Sequence, residues 1–152
     1  MKTNLYIDHD WALLSAGSPL IGFGEVPLDP PVSVIDFHGL ADGVIPYDAA
    51  SGNGEGPFGS VVSWDYYYYE QKPATVAKWA AELGCAGEAA YPTDMDGVGG
   101  WACRVWSDCL GGAEVAHCTG QYGHNYPFAG QNPPYIGGTR ILWEFMRSHR
   151  KN

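Results

Sequence analysis

Val32-Ser33-Val34-Ile35-Asp36-Phe37-His38-Gly39-Leu40-Ala41-Asp42-Gly43-Val44-Ile45-Pro46-Tyr47 is the stretch on which the fold turns. Its first six residues form a short, β-branched, largely apolar run of the kind that makes a buried strand. His38-Gly39 closes the run, a strand-to-loop signal. A carboxylate, Asp42, follows through a tight Gly turn and so sits at the C-terminal edge of the strand, the edge at which open α/β sheets bind their ligands.

Working outward, residues 1–31 read as irregular and end in the Pro-rich run Val26-Pro27-Leu28-Asp29-Pro30-Pro31. Ser51 to Gly59 is a Gly-rich surface loop, and Val61 to Tyr69 has strand propensity with heavy aromatic loading. Pro73 opens a helix at its first turn, Val76, Trp79, Ala80 and Leu83 recur at helical spacing, and Gly84 ends it. Trp101 to Trp106 and Ala113 to Cys118 read as two strands of a hairpin around Leu110-Gly111-Gly112. A final helix is expected from an N-cap near Thr139, with Leu142, Phe145 and Met146 on one face and Arg147, Arg150 and Lys151 in its last turns. This alternation fits part of an α/β sandwich. Only one parallel-type strand is evident, and a doubly wound sheet needs several, so the sheet is expected to be incomplete, with one side of Val32–Phe37 lacking a neighbour.

A chain of 152 residues, 45% hydrophobic, suits one domain with a real core, and 6 Trp, 10 Tyr and 5 Phe are too many aromatics for a solvated tail. The net charge of −9 repels phosphate backbones and argues against a nucleic-acid partner. No polybasic run suits an anionic membrane, and no apolar stretch reaches the about 20 residues that span one. Cys85, Cys103, Cys109 and Cys118 form an even, clustered set that points to two disulfides and an oxidising compartment. No pair has the C-x-x-C spacing of a zinc knuckle, so no metal is expected. Four cysteines allow three pairings; the hairpin register favours Cys103 with Cys118, leaving Cys85 with Cys109. Asp8, His9 and Asp10 interrupt the N-terminus where a signal peptide would be apolar. Export-type cysteines without a leader suggest a start further upstream.

The second chemistry-bearing stretch is Gly120-Gln121-Tyr122-Gly123-His124-Asn125-Tyr126-Pro127, a histidine in a Gly- and Pro-braced loop after the hairpin's second strand. Such a loop can project an imidazole rather than bury it. Acid then base on successive strand-end loops is the back half of the order Ser…Asp…His in α/β-hydrolases. There the Asp accepts the Nδ1–H bond and steadies the imidazolium formed when the histidine takes the serine's proton.

With these residues in place, the pattern H-G-x-x-D-x-x-x-P-Y, then G-H-x-Y-P, then T-x-x-L-W-E-F resembles the C-terminal part of the polyhydroxybutyrate depolymerase and feruloyl esterase group, from about Ala12 to the end. The resemblance implies a mostly secreted α/β hydrolase with a three-layer sandwich and a Ser-Asp-His triad, in which Asp42 is the acid and His124 the base. It implies hydrolysis of an extracellular ester, hydroxycinnamoyl-polysaccharide or hydroxyalkanoate, through an acyl-enzyme with water as second substrate and no cofactor. The family often has Trp where this chain has Tyr126, a departure that bears on substrate fit. No G-x-S-x-G elbow occurs; Leu13-Leu14-Ser15-Ala16-Gly17 has leucine where the first glycine is needed. Residues 1–152 therefore read as a partial esterase domain without the nucleophile-bearing N-terminal half, inactive alone.

The rival class is a non-catalytic secreted protein that binds a carbohydrate or polymer surface through Trp64 and Tyr66 to Tyr69. Trp64 and Tyr126 are the candidate substrate contacts. Ordinary packing of a half-buried strand is the simpler account of the Trp64 to Tyr69 aromatics. His38 reads as a structural strand-end residue, His117 as a satisfied core or edge residue, and His9 and His149 as surface residues. Asp94-Met95-Asp96-Gly97 has the look of a calcium loop but lacks its other oxygen ligands.

Overall fold

A computed structural model describes residues 6–9, 31, 33–90, 100–124 and 133–149, with backbone alone at 6–9, 90 and 133–136. The elements are β1 (Tyr6–His9), β2 (Val34–Gly39), β3 (Ser60–Val62), β4 (Tyr68–Glu70), α1 (Lys72–Glu82), β5 (Ala86–Ala90), β6 (Trp101–Ser107), β7 (Val115–Gly120) and α2 (Pro133–Ser148). Five strands form one mixed sheet in the order β1-β2-β7-β6-β5. β1 and β7 flank β2, both parallel to it, while β6 and β5 are added antiparallel.

β2 lies between β1 and β7 and is buried along its whole length. Burial on both faces is the usual state of a strand with parallel neighbours on each side. Its side chains alternate between two cores. Ile35 and Phe37 face α2, where Ile141 and Phe145 pack with Trp101, Cys103, Val105, Ala116 and Cys118. Val34 faces α1, where it joins Val76, Trp79, Leu83, Ala113 and Val115. The result is a mixed α/β arrangement with a helix against each face of the sheet.

Several expectations need correction. Residues 6–9, read as irregular, form β1 in register with Val34 to Phe37, so β2 has a parallel neighbour on the side expected to be empty. Tyr-Ile-Asp-His is too short and polar a run for its pattern to identify a strand; pairing makes it one. The strand expected over Val61 to Tyr69 is instead the two-stranded β3–β4 hairpin, turned by Ser63 to Tyr67. The last helix begins at Pro133, so Thr139 lies inside it rather than at its cap, and Ile141 with Phe145 forms the deeply buried pair. Proline is well tolerated in a first helical turn, and Pro133-Pro134 is the start signal of this helix. Helix α1 and β6 fall where the spacing puts them, while β2 and β7 each run two residues later than the Val32–Phe37 and Ala113–Cys118 expected.

Both disulfides are present, Cys85–Cys109 and Cys103–Cys118. Cys103 and Cys118 are directly opposite in the β6–β7 register. Two disulfides are compatible with an extracellular protein. No helix among the described residues is long and apolar enough to cross a membrane.

Candidate functional site

Asp42 and His124 meet at the C-terminal ends of the adjacent parallel strands β2 and β7. Their loops are tied to each other by backbone: Leu40 N–H donates to the Gly120 carbonyl at 2.8 Å, and Ala41 N–H to the Tyr122 carbonyl at 2.9 Å. Gly39 makes this approach possible, because a Cβ there would lie 2.3 Å from the Tyr122 oxygen. The Asp42 N–H donates back to Gly39 at 3.1 Å, closing the turn that lifts the carboxylate off the strand.

The Asp42 side chain is fully buried and has no spare freedom. Its Oδ1 accepts bonds from Val44 N–H and Ile45 N–H, both at 2.9 Å. Its Oδ2 accepts from His124 Nδ1 at 2.9 Å. A carboxylate held by backbone donors is a fixed acceptor for the imidazole. Donation from Nδ1 leaves Nε2 of the deprotonated ring as an acceptor. Among the described residues no serine hydroxyl bonds to it.

The fold contains a second Asp–His pair, which sharpens what the first is suited to. His117 Nδ1 lies 2.6 Å from Asp36 Oδ2, and Lys72 Nζ lies 3.2 Å from Asp36 Oδ1. Tyr47 stacks flat on His117, with ring centroids 5.8 Å apart. The His117 side chain keeps only 7% of its exposure, whereas that of His124 keeps 40%. The Asp36 pair is closed off; the Asp42 pair has its imidazole open to solvent. Burial alone would raise the Asp36 pKa, but the Lys72 charge and the bond and charge of His117 outweigh it, holding the carboxyl below the usual carboxylate range.

His38 links this buried layer to the site. It bonds through Nε2 to the Ile45 carbonyl at 2.9 Å, on the residue whose N–H binds Asp42. Burial, then repulsion from Lys72, pushes its pKa down to about 4, so it is neutral at pH 7 and donates as Nε2–H. The Lys72 backbone N–H donates to Tyr47 at 2.9 Å, pinning the far end of the same loop. His38 is thus the structural strand-end residue the sequence suggests, and His117 is a core residue bonded through Nδ1 but not satisfied throughout, since its buried Nε2 meets no partner among the described residues. His149, read as a surface residue, instead packs on the Phe145 ring and reaches Glu114 at 3.1 Å. The Asp36–Lys72 pairing has one sequence signal, an acidic residue inside an apolar run, but the partner is 36 positions away.

Trp64 lies against the Asp42 loop. Its N–H donates to the Gly43 carbonyl at 2.8 Å, and a Cβ on Gly43 would fall 1.9 Å from the indole. Packing within a half-buried strand does not account for the hairpin aromatics: Trp64, Tyr66, Tyr67 and Tyr68 are 61%, 77%, 63% and 58% exposed. Tyr126, Ser15 and Asp94-Met95-Asp96-Gly97 lie outside the described residues. Among the described residues no group of three or more acidic, His or Cys side chains could hold a metal. Comparison with known proteins finds no matching family model, no matching curated protein and no matching solved structure.

Proposed function

We propose that this chain supplies the acid and base of a secreted serine carboxylic ester hydrolase of the α/β-hydrolase type, resembling polyhydroxybutyrate depolymerases and feruloyl esterases. The observation that carries the reading is the 2.9 Å bond between His124 Nδ1 and a fully buried Asp42, with the imidazole itself partly exposed. A parallel β1-β2-β7 edge with a helix on each face suits it, and so do two disulfides.

In the proposed reaction a serine from sequence upstream of these residues attacks the ester carbonyl. His124 Nε2 takes the hydroxyl proton and passes it to the departing alkoxide, leaving an acyl-serine. Water then attacks the acyl carbon, again deprotonated by Nε2, which returns the proton to the departing serine oxygen as the acyl–oxygen bond breaks and the carboxylic acid is released. Asp42 orients the ring and stabilises the imidazolium through both steps. The oxyanion donors would come from the same upstream segment as the serine.

The other reading is a binding protein without catalysis. It is favoured by the exposed hairpin aromatics. It leaves the Asp42–His124 bond without a role.

The test is to read the native transcript upstream of Met1 and express the whole frame. The ester hydrolase reading expects an in-frame G-x-S-x-G, hydrolysis of methyl ferulate or a hydroxybutyrate ester, and a loss on the order of 10⁴-fold in kcat for Asp42→Asn. No upstream elbow, or full activity in the double variant Asp42→Ala, His124→Ala, would sink it.

A further inference from the structure

The hairpin turn is built in a way that stability alone does not explain. Tyr66 has a φ of +66°, in the left-handed region that disfavours a bulky side chain, and is also 77% exposed. Phe58, in the turn before β3, has a φ of +59° and is completely exposed. Glycine or asparagine would relieve the strain at both positions and remove apolar surface from water. Strain of this kind persists where the surroundings enforce it, and it clusters at ligand sites.

The surroundings here do enforce it. Ser63 N–H donates to the Tyr67 carbonyl at 2.9 Å, Tyr66 N–H to the Ser63 carbonyl at 3.0 Å, and Tyr67 N–H to Ser63 Oγ at 3.0 Å. Asn53 Nδ2 holds the Ser63 carbonyl from outside the turn at 3.0 Å, and Ser63 Oγ also binds Asp65. The exposed rings are therefore carried on a preorganised frame, which lowers the ordering cost of binding.

We propose that Trp64, Tyr66, Tyr67 and Tyr68 form a shelf that binds a neutral polysaccharide chain beside the Asp42–His124 pair. Aromatic faces stack on the C–H faces of sugar rings, and tyrosine presents large, rigid, amphipathic contact area. Charge selects among polymers. From Leu40 to Gln71 the chain has no Lys or Arg, and besides the buried Asp42 it has Asp48, Glu55, Asp65 and Glu70, the last paired with Lys78. An anionic polymer is repelled from such a surface. A polyester offers only acceptors and would desolvate Asp65 while giving it no donor beyond Ser63 Oγ. Polysaccharide hydroxyls donate to both Asp65 and the tyrosine oxygens. The binding surface stands on these observations alone; its use in feeding an ester to His124 rests on the function proposed above.

The experiment is depletion of the full chain by insoluble, de-esterified xylan, cellulose, mannan and chitin, with polyhydroxybutyrate granules in parallel. No catalysis is needed, so the outcome is independent of whether the chain belongs to an esterase. Retention on at least one polysaccharide is expected, competed by its soluble oligosaccharide, and about tenfold weaker in Trp64→Ala and in Tyr66→Gly. Circular dichroism checks that both variants are folded, and Tyr66→Gly removes the strained residue rather than adding strain. Retention on no polysaccharide, retention on the polyester alone, or retention unchanged in both variants would overturn the proposal.

Discussion

His124 Nδ1 and Asp42 Oδ2 are 2.9 Å apart, although 82 positions separate the two residues along the chain. The contact depends on a close approach of two backbones at Gly39. Any side chain there would overlap the Tyr122 and Gly123 carbonyls, at 2.3 and 2.8 Å from its Cβ. Both obstacles are main chain and cannot swing aside. Gly39→Ala is therefore expected to lower stability by about 3 kcal/mol in urea unfolding and to part the Asp42 and His124 loops. An alanine variant of unchanged stability would show that the loops are not held as described.

The buried ion pair under the site should behave as a unit. Lys72→Met leaves the Asp36 carboxylate buried without its cation, so a loss of roughly 3–5 kcal/mol is expected. Asp36→Asn removes the same charge interaction from the other side. The double variant should lose clearly less than the sum of the two, measured as a double-mutant cycle in urea. Additive losses would contradict a shared interaction.

Acid should destabilise the chain over two pH windows. The folded pKa of His38 is pushed down from its ordinary 6.5 to about 4, by burial first and then by Lys72. Asp36 is held below its ordinary 3.8. In both cases the unfolded chain binds more protons as the pH falls, so stability is complete above the ordinary value and is lost below it. His38 acts between 6.5 and about 4, with a contribution on the order of 3 kcal/mol; Asp36 acts below that. His38→Gln keeps a donor for the Ile45 carbonyl but does not titrate. Its thermal midpoint should fall less steeply with pH across the upper window. An unchanged slope would refute the assignment.

What the sequence made legible follows from the range of the interactions. The strand ending in His38-Gly39, helix α1 and the β6–β7 hairpin announce themselves through local spacing and turn residues, and the hairpin register carries Cys103 opposite Cys118. The two site loops were legible because each has its own Gly-braced pattern, and the structure brings Asp42 and His124 together. β1 was hidden because four residues with two charged or polar side chains hold no periodicity; only pairing with β2 defines them. The Asp36–Lys72–His117 cluster and the strain at Tyr66 depend on tertiary neighbours and on φ, which residue types alone do not encode.

That strain gives a trade-off to measure. Tyr66→Gly relieves the left-handed conformation at φ +66°, against a smaller entropic penalty for glycine. A gain of about 1 kcal/mol, or a thermal midpoint roughly 2–4 °C higher, is expected. A lower midpoint would mean that the exposed ring contributes to the fold, and the case for a binding role would weaken.

The most direct test of the account is the protonation of the His124 imidazole, read by ¹⁵N-resolved NMR at about pH 9, where an ordinary histidine is deprotonated. A base oriented by Asp42 should carry its proton on Nδ1 and leave Nε2 bare, and Asp42→Ala should move the proton toward Nε2. A proton on Nε2 in the wild type, or a tautomer unaffected by Asp42→Ala, would contradict the claim that these two residues form an acid–base pair.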